Sequence, residues 1–223
     1  MLQRPKLNCL LMISICVACG PFGASAMAAD KEEGFISLFD GKSLDGWKLV
    51  DGSGRGYVVE EEAIVCPKDG GGRLFTNKEY ANFVFRFEYR LEPGGNNGVG
   101  IRSPLEGDPA YVAMEIQVLD DEHPSYANLQ PFQYHGSIYG VVASKRGAPK
   151  KAGEWNTEEI VCDGRKVKVT VNDKVIVDAN LDDVKDKGVL DAHPGLQRAK
   201  GFIGFLGHGA HVEFRNLRIK ELP

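Results

Sequence analysis

The sequence predicts an all-β domain, a sandwich or a barrel, on three observations. Phe83, Phe85, Phe87, Tyr89 and Leu91 alternate with Val84, Arg86, Glu88 and Arg90, the period-two pattern of a half-buried strand. Residues 167–171 and 174–177 are β-branched runs that flank Asn172-Asp173 and read as a hairpin around a tight turn. Nowhere do apolar residues recur at helical spacing for three turns.

The other elements follow the same logic along the chain. Residues 57–65, 99–102, 112–119, 158–162, 202–206 and 212–219 are apolar or alternating runs closed off by Gly, Pro, Asn and Asp. Together they make about ten short strands, the number expected of a sandwich or barrel. Residues 52–56 and 68–73 read as Gly-rich, flexible connections. Residues 123–151 mix aromatics, His, Gly and Pro. A loop of that length is usually functional or locally folded. No linker, repeat or change of composition divides the chain, so residues 29–223 are expected to form one domain.

Composition narrows the class further. Hydrophobic residues are 43% of the 223 and charged residues 26%, enough for a substantial core. The net charge is −4 and the basic residues are scattered, which argues against a nucleic-acid partner. At the N-terminus, Arg4 and Lys6 precede an apolar run over residues 7–18, then Ala24-Ser25-Ala26 and Ala26-Met27-Ala28. This is the layout of a secretion signal over residues 1–28, too short to span a bilayer. It predicts a periplasmic or extracellular protein. The alternative is a lipid anchor at Cys19, since Val17-Ala18-Cys19-Gly20 loosely resembles a lipoprotein cleavage box, although Cys16 stands where Leu is expected. No later segment is apolar enough for a membrane span. Cys66 and Cys162 remain after the signal, as buried thiols or as a bridge.

Chemistry-bearing residues fall into three groups. In the run Met114 to Asp121, strand alternation puts Glu115 and Gln117 on one face and Ile116 and Val118 on the core side. A charge in the middle of an apolar strand is costly unless it is paired or lines a wet cleft. In Asn97-Gly98-Val99-Gly100-Ile101-Arg102, Gly98, Gly100 and Arg102 share the face opposite Val99 and Ile101, and Arg86 and Glu88 behave likewise on their strand. If these strands are neighbours, one face carries Arg86, Glu88, Arg102, Glu115 and Gln117. That face is either a ligand cleft or a ladder of mutually paired surface charges. The third group is Phe132 to Val141, where aromatics stand beside His135. His123 and His193 each precede Pro and read as turn residues, while His208 between two glycines is either a cleft rim or a hairpin turn. There is no Gly-x-Ser-x-Gly elbow, phosphate-binding loop, His-Glu-x-x-His or CxxC, so carboxylate and His chemistry remains.

Six blocks in order resemble the 3-keto-disaccharide hydrolase domain family. They are Leu38-Phe39-Asp40-Gly41-Lys42-Ser43-Leu44-Asp45-Gly46-Trp47, Asn97 to Arg102, Glu115 to Asp120, Gly136-Ser137-Ile138-Tyr139-Gly140, Gly153-Glu154-Trp155-Asn156, and Gly204 to Gly209 with Val212 to Leu217. The resemblance covers residues 34–222. It implies a concanavalin A-like jelly-roll of two antiparallel sheets, with a small carbohydrate on one sheet face. It also implies exported bacterial enzymes that cleave glycosides oxidised to a ketone at sugar carbon 3. On that reading Glu115 or His135 is the base and the other is the acid, while Arg102 and Gln117 hold the enolate oxygen. Tyr139 and Trp155 stack on sugar, and Asn97, Arg86, Glu88 and His208 line the substrate. Asp120, with Asp121 and Glu122, is a candidate for a divalent cation such as Ca²⁺, an exposed acidic turn being the alternative. Val99-Gly100 and Phe205-Leu206 depart from the family pattern. Two other readings are a laminarinase-like retaining glycosidase and a non-catalytic carbohydrate-binding module. The first needs paired carboxylates, and Glu115-x-Gln117-x-x-Asp120 sets Asp120 on the opposite parity.

Overall fold

Alternation turns into two packed sheets. The computed structural model describes Met1 and residues 33–223; the leader and the Cys19 anchor fall on residues outside those described. The strands are β1 (Ile36–Ser37), β2 (Trp47–Gly54), β3 (Val58–Glu60), β4 (Ala63–Cys66), β5 (Gly70–Tyr80), β6 (Phe83–Leu91) and β7 (Asn96–Ser103). A single helical turn, α1 (Pro109–Val112), leads into β8 (Met114–Leu119). Then come β9 (Asn156–Asp163), β10 (Lys166–Val171), β11 (Lys174–Asn180), β12 (Gly201–Gly207) and β13 (Val212–Glu221). The larger sheet runs β11-β10-β9-β6-β13-β4-β3, with β1 against β13, and the smaller runs β2-β5-β12-β7-β8. Every pairing is antiparallel.

The core lies between the sheets. Phe83, Phe85, Phe87, Tyr89 and Leu91 all turn inward from β6, as their alternation predicts. Phe205 of the smaller sheet stacks on Phe214 of the larger at 3.8 Å between centroids, and Trp47 stacks on Phe205 at 5.5 Å. Such pairs add about 0.5–1.5 kcal/mol each beyond their buried area. The hairpin turn Asn172-Asp173 has φ of 46° and 64°, the left-handed pair a tight two-residue turn needs.

Two expectations change. Residues 57–65 are two strands rather than one, because Glu61 and Glu62 adopt φ of 48° and 60° and fold β3 back on β4. Residues 52–54 end β2 and the glycines at 70–72 begin β5, where the two segments pair instead of forming free loops. A Cβ on Gly72 would stand 2.7 Å from the Cα of Gly52, so glycine here admits a close approach of two backbones. Cys66 and Cys162 are both free and buried, and burial pushes the Cys162 thiol up to about 12.

Candidate functional site

The site is built on the β7–β8 pair. Gly100 lies opposite Glu115 and Gly98 opposite Gln117. Ile116 and Val118 join the core, so Glu115 and Gln117 rise together from the other face of the smaller sheet. The glycines make that face low enough for the carboxylate. A Cβ on Gly98 would be 1.9 Å from Glu115 Oε1, which shows that the Glu115 side chain lies across the bare backbone of its neighbour. Gly100 meets Leu206 and Phe75 at ordinary contact distance.

One imidazole meets this carboxylate. Strand β12 ends at Gly207, and His208, in the turn that follows, brings Nε2 to 3.4 Å from Glu115 Oε1. The Glu115 side chain is 5% exposed and that of His208 is 46% exposed, so a sealed acid is paired with an open ring. The Glu115 hydrogen bond raises the His208 pKa above its ordinary value; burial opposes this, and the charges of Glu115 and Asp108 assist it. Gln117 sits beside the pair with a buried Oε1 that has no partner.

Loops wall the face on two sides. Residues 136–139 lie along β8: Gln117 N–H donates to Ser137 O, Gly136 N–H to Gln117 O and Tyr139 N–H to Glu115 O. Tyr139 is thereby set next to Glu115, and its hydroxyl accepts from Gln133 Nε2. On the other side Asp108 caps α1 by accepting from Ala110 N–H at 3.0 Å. The turn carries Tyr111, whose ring lies 5.2 Å from that of His193.

His135 is elsewhere, which corrects the expected convergence. It is sealed within the sandwich, and its Nδ1 accepts the Leu119 N–H at 3.1 Å. That bond puts the ring proton on Nε2, which lies 3.0 Å from the Tyr89 hydroxyl and 3.4 Å from Glu158 Oε2. Neither oxygen of Glu158 has a hydrogen-bond partner. Burial raises Tyr89 well above the ordinary tyrosine range, with the charges of Glu158 and Asp121 adding to the shift. The alternation of Glu158 with Ile160 and Cys162 is the signal that could have placed Glu158 inside.

Arg102 does not reach the face either. Its backbone has φ of 51°, its side chain is fully buried, and its guanidinium donates to Ala81 O, Gly164 O and Asn82 Oδ1. Three segments are tied together by it, a packing role. Asn97 points inward, donating to the Tyr57 hydroxyl and accepting from the Gly98 and Leu206 N–H groups. Arg86 and Glu88 belong to the other sheet, where Arg86 pairs with Glu159 at 2.6 Å and Glu88 with Arg215 at 2.7 Å. Trp155 is on that sheet as well, with Arg90 and Arg215 over its ring at 4.8 and 3.9 Å. There the paired-ladder alternative is the one observed. Asp120 accepts from Gly94 N–H, and Asp121 from His135 N–H while pairing with Arg146. No group of three or more metal-type side chains is present among the described residues. Of the residues predicted, Glu115, Gln117 and His208 come together, and Tyr139 joins them through its backbone bond to Glu115.

The family model described as the 3-keto-alpha-glucoside-1,2-lyase-like domain matches residues 34–220. A 3-keto-disaccharide hydrolase of Bacteroides thetaiotaomicron is 28% identical over 233 aligned residues, covering 85% of this chain and 79% of that protein. A crystal structure from Parabacteroides distasonis, of a protein provisionally named a glycosyl hydrolase, superposes with a TM-score of 0.73 at 27% identity, covering 84% of this chain and 99% of that one. The carbohydrate-binding module CBM66 of Bacillus subtilis shares the fold at a TM-score of 0.53 and 14% identity, covering 79% and 96% of the two chains.

Proposed function

The chain belongs to the 3-keto-alpha-glucoside-1,2-lyase-like domain family, and on that premise we propose that it cleaves 3-keto-glycosides with Glu115 and His208 as its base and acid. One observation carries the reading: an almost sealed carboxylate 3.4 Å from a half-open imidazole whose protonated form it favours. A carboxylate and an imidazole thus stand within proton-transfer reach of each other at one place, as an acid and base pair requires.

A ketone at C3 acidifies the hydrogen on C2. Glu115 removes that proton, and the electron pair of the C–H bond moves into a C2–C3 enolate. On this reading the side-chain NH2 of Gln117 donates to the enolate oxygen. Collapse of the enolate expels the oxygen substituent on C1, and protonated His208 gives that oxygen its proton. Water then adds at C1 while a proton returns to C2, which completes a net hydrolysis without any change of oxidation state. Arg102 and His135 take no part in these steps.

The test compares a glycoside with its 3-keto counterpart. Purified protein is expected to cleave only the keto sugar. Glu115→Gln is expected to lower kcat/KM by about 10²–10⁴-fold, and His208→Ala to cost less with a nitrophenyl leaving group than with a sugar. Equal cleavage of the unoxidised glycoside overturns the mechanism, and binding without turnover makes the chain a carbohydrate-binding module.

A further inference from the structure

Tyr111 is among the few large hydrophobic side chains left exposed, at 44% of its surface, yet the structure holds it firmly. Its ring lies against His193, a buried imidazole whose Nδ1–H donates to Ala110 O at 3.0 Å. Behind that ring is Gly140, where a Cβ would stand 2.6 Å from the His193 ring, so only a glycine lets the imidazole pack so closely. The Asp108 cap and Pro109 at the first helical position fix the turn that carries the tyrosine. An exposed aromatic supported from behind by a buried ring is a prepared contact surface, because little side-chain freedom remains to be lost on binding.

Contact by contact, that surface connects to the reaction site. Tyr111 touches His193, His193 packs on Gly140, and Gly140 follows Tyr139, whose N–H binds the carbonyl of Glu115. Asp108, three residues before Tyr111, is close enough to His208 to act on its charge. The depth of the groups gives the direction. The Glu115 side chain is nearly closed off, so the sugar ring that loses its proton must lie deep. His208 is half open, as befits a group that protonates the oxygen between two rings. The second ring then extends outward past His208, toward the turn that Asp108 caps and that carries Tyr111, whose leading Gly107 O accepts from Arg73 of the same sheet. We infer that Tyr111 is a stacking platform for the ring of the leaving group and gives the enzyme its preference for 3-keto-disaccharides over keto sugars with a small aglycone. This rests on the reading proposed above.

The experiment uses a 3-keto-disaccharide and the corresponding 3-keto methyl glycoside. In Tyr111→Ala the ratio of kcat/KM for the disaccharide to that for the methyl glycoside is expected to fall about tenfold, mainly through KM, and in Tyr111→Phe it is expected to hold. The same pair of ligands is titrated onto Glu115→Gln, with and without Tyr111→Ala, to read binding without turnover. Turnover by the wild type with an unchanged ratio in Tyr111→Ala overturns the platform and leaves the chemistry. Disaccharide-selective binding that Tyr111→Ala abolishes, without turnover by the wild type, overturns the chemistry and leaves the platform. Neither turnover nor binding overturns both.

Discussion

Of the three glutamate–histidine pairs among the described residues, two have the same separation, 3.4 Å from imidazole Nε2 to a carboxylate oxygen. Glu158 and His135 lie between the sheets, with both side chains at 0% exposure. Glu115 and His208 lie on the open face of the smaller sheet, at 5% and 46%. Residue type and spacing do not tell them apart, but surroundings do. The His135 ring is held on one nitrogen by a backbone N–H and on the other by Tyr89, and no sugar reaches it. Among the described residues the His208 ring is held only through Glu115, which leaves its open side for the proton transfer proposed above. Inside the sandwich His135 ties its loop to the end of β8; on the face the pair is the proposed base and acid.

The contrast can be broken at three places. The largest effect is expected from Gly98→Ala. Its methyl group would meet the Glu115 carboxylate and push it off His208, and a shift of that size costs about 10²-fold in kcat/KM with little change in melting temperature. Full activity in this variant would mean that the Glu115 position is not critical. His135→Ala is expected to act on stability instead. It leaves the Leu119 N–H without an acceptor and opens a cavity beside Tyr89, at a cost of about 3 kcal/mol and a melting point lower by roughly 10 °C. A stable but inactive His135→Ala would reverse the two assignments.

The smallest effect is a titration. His208 is raised above its ordinary value of 6.5 because Glu115 favours the protonated ring. The interaction therefore stabilises the fold fully at pH below that ordinary value and is lost as the pH climbs through the raised one. NMR titration of His208 is expected to give a midpoint above 6.5 in the wild type and a lower one in Glu115→Gln. Coincident midpoints would uncouple the pair.

Much of this is legible in the sequence. Alternation alone assigned the faces of β6 and β8 and set Glu115 and Gln117 side by side. Alternation assigns a face but not a sheet, which is why Arg86 and Glu88 joined the wrong cluster. It also assumes regular backbone. Arg102 has a positive φ at a register irregularity between β12 and β7, and that single residue turns its side chain away from the parity of Gly98 and Gly100. His135 looked reactive because it stood among aromatics, a context that stacking in a core also produces, and its ring does stack on Tyr89 at 5.0 Å. The pairing of His208 with Glu115 joins positions far apart in sequence, so no local pattern could announce it.

The segment along β8 has a consequence beyond shaping a wall. β8 is the last strand of its sheet, and an uncovered last strand offers a row of bare amides and carbonyls to other chains. Here Ser137, Gly136 and Tyr139 take up those groups at Gln117 and Glu115. The strand that carries the proposed base is thereby guarded against strand-by-strand aggregation at the cost of only four residues.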